Sequence, residues 1–174
     1  MTARGVLRLA NSGDAEVIRA IYKPYCLEDC PISFELTVPS TKEIASRIAA
    51  TLPAFPWLVC EEEGTVIGYA YGGVHSARAA YRWCSNTSVY VSDTAHGKGI
   101  GSRLYRALFE LLRLQGFYNA YAGITLPNAG SEALHSSFGF VPVARYPKVG
   151  FKGGRWHDVG WYGLTLREHS GNPS

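Results

Sequence analysis

Cysteine is sparse in this chain, long apolar runs are missing, and neither sign of charge dominates. Four cysteines in 174 residues, Cys26, Cys30, Cys60 and Cys84, are too few for a disulfide framework. No His/Cys pair near Cys26 and Cys30 completes a zinc pattern, so no metal site is expected. The four read as ordinary thiols of a reducing compartment. A net charge of +3, with basic residues scattered along the chain, is too mild to argue for nucleic acid. No stretch approaches a membrane span, and Met1 to Leu9 lacks the long apolar core of a signal peptide. A cytoplasmic protein with neither nucleic acid nor membrane as partner is the expectation. Without an internal repeat, low-complexity block or linker, the chain reads as one domain over residues 1–167 with a polar tail at 168–174.

What is present begins with His96-Gly97-Lys98-Gly99-Ile100-Gly101-Ser102-Arg103. It follows the β-branched run Ser88-Val89-Tyr90-Val91 and opens an amphipathic run from Leu104 to Leu114. Strand, glycine-rich turn and helix in that order aim several N–H groups and the positive end of a helix at one point. Such a nest suits a pyrophosphate, with Lys98 or Arg103 adding charge. A plain strand-to-helix connection carries the same signature.

Around this stretch, periodicity predicts the other elements. Val6 to Leu9 reads as a strand, and Asp14 as the cap of a helix carrying Val17, Ile18, Ile21 and Tyr22. Pro31 and Pro39 forbid a long helix between Glu28 and Pro39. A helix fits Ser40 to Thr51, with Ser40 as N-cap and Glu43 completing a capping box. Trp57 to Glu61 and Val66 to Gly73 form a hairpin around Glu63-Gly64, and Trp83 to Val91 is the next strand. A helix from Gly101 to Gln115, a strand from Asn119 to Thr125 and a helix from Asn128 to Phe138 follow. Val141 to Phe151 and Trp156 to Leu166 pair across Gly153-Gly154. The order β-α-α-β-β-β-α-β-α-β-β predicts a mixed α/β sheet with helices on its faces, its ligand loop at the carboxyl end of a central strand.

Several pieces occur in one order over roughly residues 5 to 166. They are Ile32-Ser33-Phe34-Glu35, Ala77-Arg78-Ala79-Ala80-Tyr81-Arg82-Trp83, Ser88-Val89-Tyr90-Val91 and Gly97-Lys98-Gly99-Ile100-Gly101. Leu126-Pro127-Asn128, Ala133-Leu134-His135, Phe138-Gly139-Phe140 and Arg155-Trp156-His157-Asp158-Val159-Gly160 complete the set. This ordered set resembles the GCN5-related N-acetyltransferase (GNAT) superfamily, and within it the phosphinothricin and arsinothricin N-acetyltransferases. The resemblance implies the GNAT fold, a mostly antiparallel central sheet flanked by helices on both faces. It implies acetyl-CoA as co-substrate, no metal, direct attack of a primary amine on the thioester, and a homodimer. By the same resemblance, Val89, Tyr90 and Val91 pair with the pantetheine arm. His96, Gly97, Lys98, Gly99, Ile100, Gly101 and Ser102 grip the pyrophosphate, while Asn128 and Ser131 line the thiol end.

His135 stands where many superfamily members carry a tyrosine that protonates the departing thiolate, and an imidazole can do that work near neutral pH. Asn86 departs from the family, whose phosphinothricin enzymes carry a glutamate base in this segment; an amide orients a water or the amine but takes no proton. The chain then relies on amine that has already lost its proton, on water along the strand, or on another base such as Glu35 or Glu28. In the family, basic residues of the loop holding Arg78 and Tyr81 bind the substrate's acid head, and a guanidinium suits a phosphinate, arsinate or carboxylate. Ser76 stands where relatives usually carry a second basic residue. Phe34 and Glu35 would edge the acceptor pocket. His157 and Asp158 are adjacent on a strand and point apart, so they read as structural or dimer contacts. The function implied is acetylation of the amine of a small amino-acid-like acid such as phosphinothricin, methionine sulfoximine or a relative. The alternatives are a polyamine, peptide or protein acceptor, or a catalytically weak acyl-CoA-binding sensor.

Overall fold

Strands with apolar residues on both faces belong in the middle of a layered fold, and the strands at Trp57–Glu62 and Thr65–Val74 are of this kind. The computed structural model describes residues 5–173; residues 1–4 and 174, which the expected 1–167 unit, the 168–174 tail and the Met1–Leu9 segment include, lie outside them. Among the described residues, seven strands form one sheet: β1 (Val6–Leu9), β2 (Trp57–Glu62), β3 (Thr65–Val74), β4 (Cys84–Val91), β5 (Asn119–Leu126), β6 (Val141–Lys152) and β7 (Arg155–Thr165). Their spatial order is β1-β2-β3-β4-β5-β7-β6. All neighbours are antiparallel except β4 and β5. Four helices among the described residues, α1 (Ala15–Cys26), α2 (Thr41–Thr51), α3 (Ile100–Leu114) and α4 (Ala129–Ser137), cover both faces, as the sequence predicts.

The pleat of β2 sorts the core. Trp57 and Val59 pack with Ile18 and Ile21 of α1 and Ile44 and Ile48 of α2. Leu58 and Cys60 face the other way, onto Ile100, Leu104, Leu108 and Leu112 of α3. Each fully buried leucine there contributes about 1.5–3 kcal/mol.

Helix ends follow local chemistry, with one correction. Ser40 caps α2 as expected: its Oγ accepts from the Glu43 N–H at 3.2 Å, and Glu43 Oε2 accepts from the Ser40 N–H at 2.7 Å. Asp14 does not cap α1. Its carboxylate accepts from Arg8 Nη1 and Nη2, both at 2.8 Å, and from the Asn11 N–H. Asn11 is the capping residue, of a short 3-10 turn over Ser12–Asp14 that leads into the helix. A guanidinium eight positions from the chain start outcompetes the helix for the carboxylate, because a bidentate charged pair is stronger than a single neutral donor.

Two features shape the ligand-facing part. β4 and β5 pair over only Cys84↔Asn119, Ser85↔Ala120 and Asn86↔Tyr121, then part. Just after β4, Ser92 N–H bonds Ile67 O on the β3 side, so by alternation along β4 the N–H and C=O of Thr87, Val89 and Val91 face the gap left by β5. The second is β6, the outer strand, whose Val141, Val143, Tyr146, Val149 and Phe151 are exposed.

Candidate active site

The parting of β4 and β5 joins three cavities into one passage. A groove of 460 Å³ runs along the end of β4 and the start of α3, lined by Val89, Tyr90, Val91, His96, Gly97, Gly99, Ile100, Gly101 and Ser102 with Asn128 and Ser131 of the β5–α4 side. A second cavity of 670 Å³ is lined by Phe34, Glu35, Asn86, Ser88, Tyr146 and Trp161, among others. A seam of 70 Å³ shares Val89, Asn128 and Ser131 with the groove and Thr87, Ser88, Gly123 and Thr125 with the larger cavity. Tyr105 and His135 line the seam as well.

The groove is made by the glycine loop. Gly97 and Gly99 take φ of 74° and 76°, a left-handed conformation that L side chains rarely adopt, and Gly99 is the residue preceding α3. The loop therefore turns sharply enough to aim the first N–H groups of α3 into the groove. Lys98 is exposed and outside the lining. Tyr25, which the motifs did not single out, lines the groove: its hydroxyl donates to Val91 O at 2.8 Å, and His96 Nε2 lies 3.0 Å from the same oxygen. The Val91 carbonyl is thereby engaged within the protein, and Val89 keeps its gap-facing groups for a ligand.

At the seam, His135 is buried and held at both nitrogens. Nδ1–H donates to Ser131 O at 2.7 Å, and Nε2 accepts from the Tyr105 hydroxyl at 3.0 Å. Burial lowers the His135 pKa, against a smaller opposing effect of the Ser131 carbonyl, and burial raises that of Tyr105. The pair rests as neutral imidazole and phenol at neutral pH. Asn128 Oδ1 accepts from the Ser131 N–H at 3.1 Å, capping α4 and pinning the turn that carries both.

The larger cavity is walled by the segment after α1. Lys152, buried in β6, donates to Ser33 O at 2.7 Å and so ties that segment to the sheet. Phe34 lies across Gly150, where any Cβ would come within 2.2 Å of its ring. Glu35 Oε1 accepts from Arg47 Nη1 at 2.6 Å. Tyr22, whose hydroxyl meets Ser33 Oγ at 2.6 Å, is pushed up to about 12 by burial.

The structure thus brings Phe34, Glu35 and Asn86 to one cavity and the strand, loop and Asn128–Ser131 residues to the other. It leaves Arg78 exposed and Tyr81 44% exposed, both outside the three linings. His157 donates from Nε2 to Lys152 O, while Asp158 accepts from Arg145 and the Lys148 N–H, so those neighbours do point apart. Sequence reasoning passed over Tyr105 and His75. His75 Nδ1 lies 2.7 Å from Asn86 Oδ1, a contact between the residue just after β3 and a residue of β4 eleven positions on, which leaves no local periodic signal.

Comparison with known proteins places this geometry. The acetyltransferase (GNAT) domain family matches residues 7–161. A phosphinothricin N-acetyltransferase of Streptomyces viridochromogenes is 35% identical over 90% of this chain and 85% of its own. An L-methionine sulfoximine/L-methionine sulfone acetyltransferase of Salmonella typhimurium is 37% identical over 94% of this chain and 96% of its own. The crystal structure of a GNAT superfamily phosphinothricin acetyltransferase from Sinorhizobium meliloti, in complex with acetyl-CoA, superimposes with a TM-score of 0.93 at 35% identity. It covers 100% of this chain and 94% of that one.

Proposed function

The chain belongs to the GNAT acetyltransferases, and from that premise we propose that it acetylates the primary amine of a small amino-acid-like acid, of the kind its relatives are named for, using acetyl-CoA. The observation that carries this reading is the continuity of the glycine-loop groove with the larger cavity through the parted strands. A two-substrate transfer needs two adjoining sites with their reacting ends in contact.

In this reading the groove holds the co-substrate. The turn of Gly97, Lys98 and Gly99, with Ile100, Gly101 and Ser102 behind it, offers N–H groups to the pyrophosphate; Val89, with the N–H of Val91, offers the gap-facing edge of β4 to the pantetheine arm, with Tyr90 and His96 as walls. Asn128 and Ser131 border the thiol. Bound acetyl-CoA supplies an acyl carbon activated by its thioester. The Val89 N–H, aimed into the gap, stabilises negative charge developing on the carbonyl oxygen. Thiolate protonation falls to the Tyr105–His135 pair: the Tyr105 hydroxyl at the seam carries the proton, and His135, whose Nε2 accepts from it, orients it. Phe34 and Glu35 edge the acceptor, and Arg78 and Tyr81 reach its acid head only from the rim.

Two further parts of the reading rest on surface and composition. The exposed apolar residues of β6 suit a homodimer contact. The four cysteines, all free thiols, fit a reducing cytoplasm.

The test is CoA release from acetyl-CoA with phosphinothricin, methionine sulfoximine, methionine sulfone, common amino acids and polyamines as acceptors. Turnover on an amino-acid-like acid is the expected result. Tight acetyl-CoA binding with no turnover on any of them would replace this reading by an acyl-CoA sensor.

A further inference from the structure

An acceptor amine is an ammonium near neutral pH, and something at the acceptor cavity must take its proton before it can attack. Among the titratable groups of that cavity, Tyr22 and Tyr90 are held protonated by burial. Glu35 is tied to Arg47 at 2.6 Å. Asn86 accepts no proton at all. Four of the five histidines are committed elsewhere: His96 to Val91 O, His135 to Ser131 O and Tyr105, His157 to Lys152 O and His169 to Asn119.

His75 is the fifth. It follows the last residue of β3 and bonds through Nδ1 to Asn86 Oδ1 at 2.7 Å. Because an amide oxygen only accepts, Nδ1 carries the proton, and Nε2 is left with a lone pair. Among the described residues Nε2 makes no hydrogen bond. The ring is stacked on Tyr121 at 4.5 Å between centroids and set edge-on to Trp161 at 6.1 Å. Asn86 and Trp161 both line the acceptor cavity. The imidazole therefore stands one layer behind the cavity wall, with tautomer and ring plane both fixed.

We infer that His75 is the proton acceptor for the incoming amine, with Asn86 holding its tautomer; this rests on the acetyl-transfer reading above. The ammonium gives one proton to Nε2, through a water crossing the wall. The freed lone pair forms the C–N bond to the thioester carbonyl carbon, and the C–S bond breaks. The nitrogen's second proton leaves as the adduct collapses, the thiolate takes one proton from the Tyr105–His135 pair, and that second proton refills the pair. The imidazolium of His75 releases its proton to solvent. The balance is one acetylated amine, one CoA thiol and one proton.

The test is chemical rescue of His75→Ala. Steady-state rates are measured with the best acceptor from the panel, with and without added imidazole, and acetyl-CoA binding is read by thermal shift. The expected result is a kcat/KM lower by about 10²-fold, restored in proportion to imidazole, with the thermal shift on acetyl-CoA unchanged. An unaltered kcat/KM, or a loss that imidazole does not restore while acetyl-CoA still binds, would overturn the assignment and leave the transfer reading standing. A wild-type protein that acetylates no amine of the panel overturns both together.

Discussion

His135 ties the chemistry of the seam to the stability of the fold. Burial lowers its pKa, so the unfolded chain takes up a proton that the folded one refuses. Its contribution is complete above the ordinary value of 6.5 and is lost as pH falls through that value towards the lower folded one. His135→Gln should therefore show a smaller fall in Tm than the wild type between about pH 7.5 and 5.5, measured by thermal melts across the range. A wild-type Tm no more sensitive to acid than the variant's would contradict this. Asn86→Glu puts a carboxylate in the acceptor cavity beside His75. It should make turnover less dependent on His75, so that His75→Ala costs less than about tenfold in kcat/KM in that background. A full loss there would show that a carboxylate at this place cannot serve.

Among elements, α2 tests how far local chemistry sets structure. Ser40→Ala removes the hydroxyl that caps the Glu43 N–H and should cost about 1 kcal/mol, seen as a Tm lower by about 2–4 °C. The capping box, the Glu63-Gly64 turn and the helix after the glycine loop were legible because each signal lies within a few residues. Asp14 misled for the same reason: its partner Arg8 sits on a different element, and only the folded chain brings them together. His75, Tyr105 and the buried Lys152 were illegible on similar grounds, since their partners lie 11, 30 and 119 positions away. The exposure of β6 was also hidden, because its apolar content reads like that of a buried strand. Val143→Asp with Phe151→Asp places charge on that strand. If β6 is the contact between copies, sedimentation should show the variant as monomer where the wild type is a dimer.

The ligand groove and the fold share their energetics. A ligand that binds only the folded state, present at about 100 times its Kd, stabilises by about 2.7 kcal/mol. Saturating acetyl-CoA should accordingly raise Tm by about 5–10 °C, and a shift indistinguishable from zero would argue against the groove as its site. The short ladder between β4 and β5 carries a further consequence. The strands β1–β4 and β5–β7 meet through three residue pairs, and beyond Asn86 the inner edge of β4 has no neighbouring strand. Amide hydrogens along that edge, at Val89 above all, should exchange with deuterated solvent far faster than those of Ser88 and Tyr90, which β3 protects. Acetyl-CoA lying in the wedge would then behave as an eighth, non-peptide strand, and its arrival would be legible as slowed exchange on one side of β4 only.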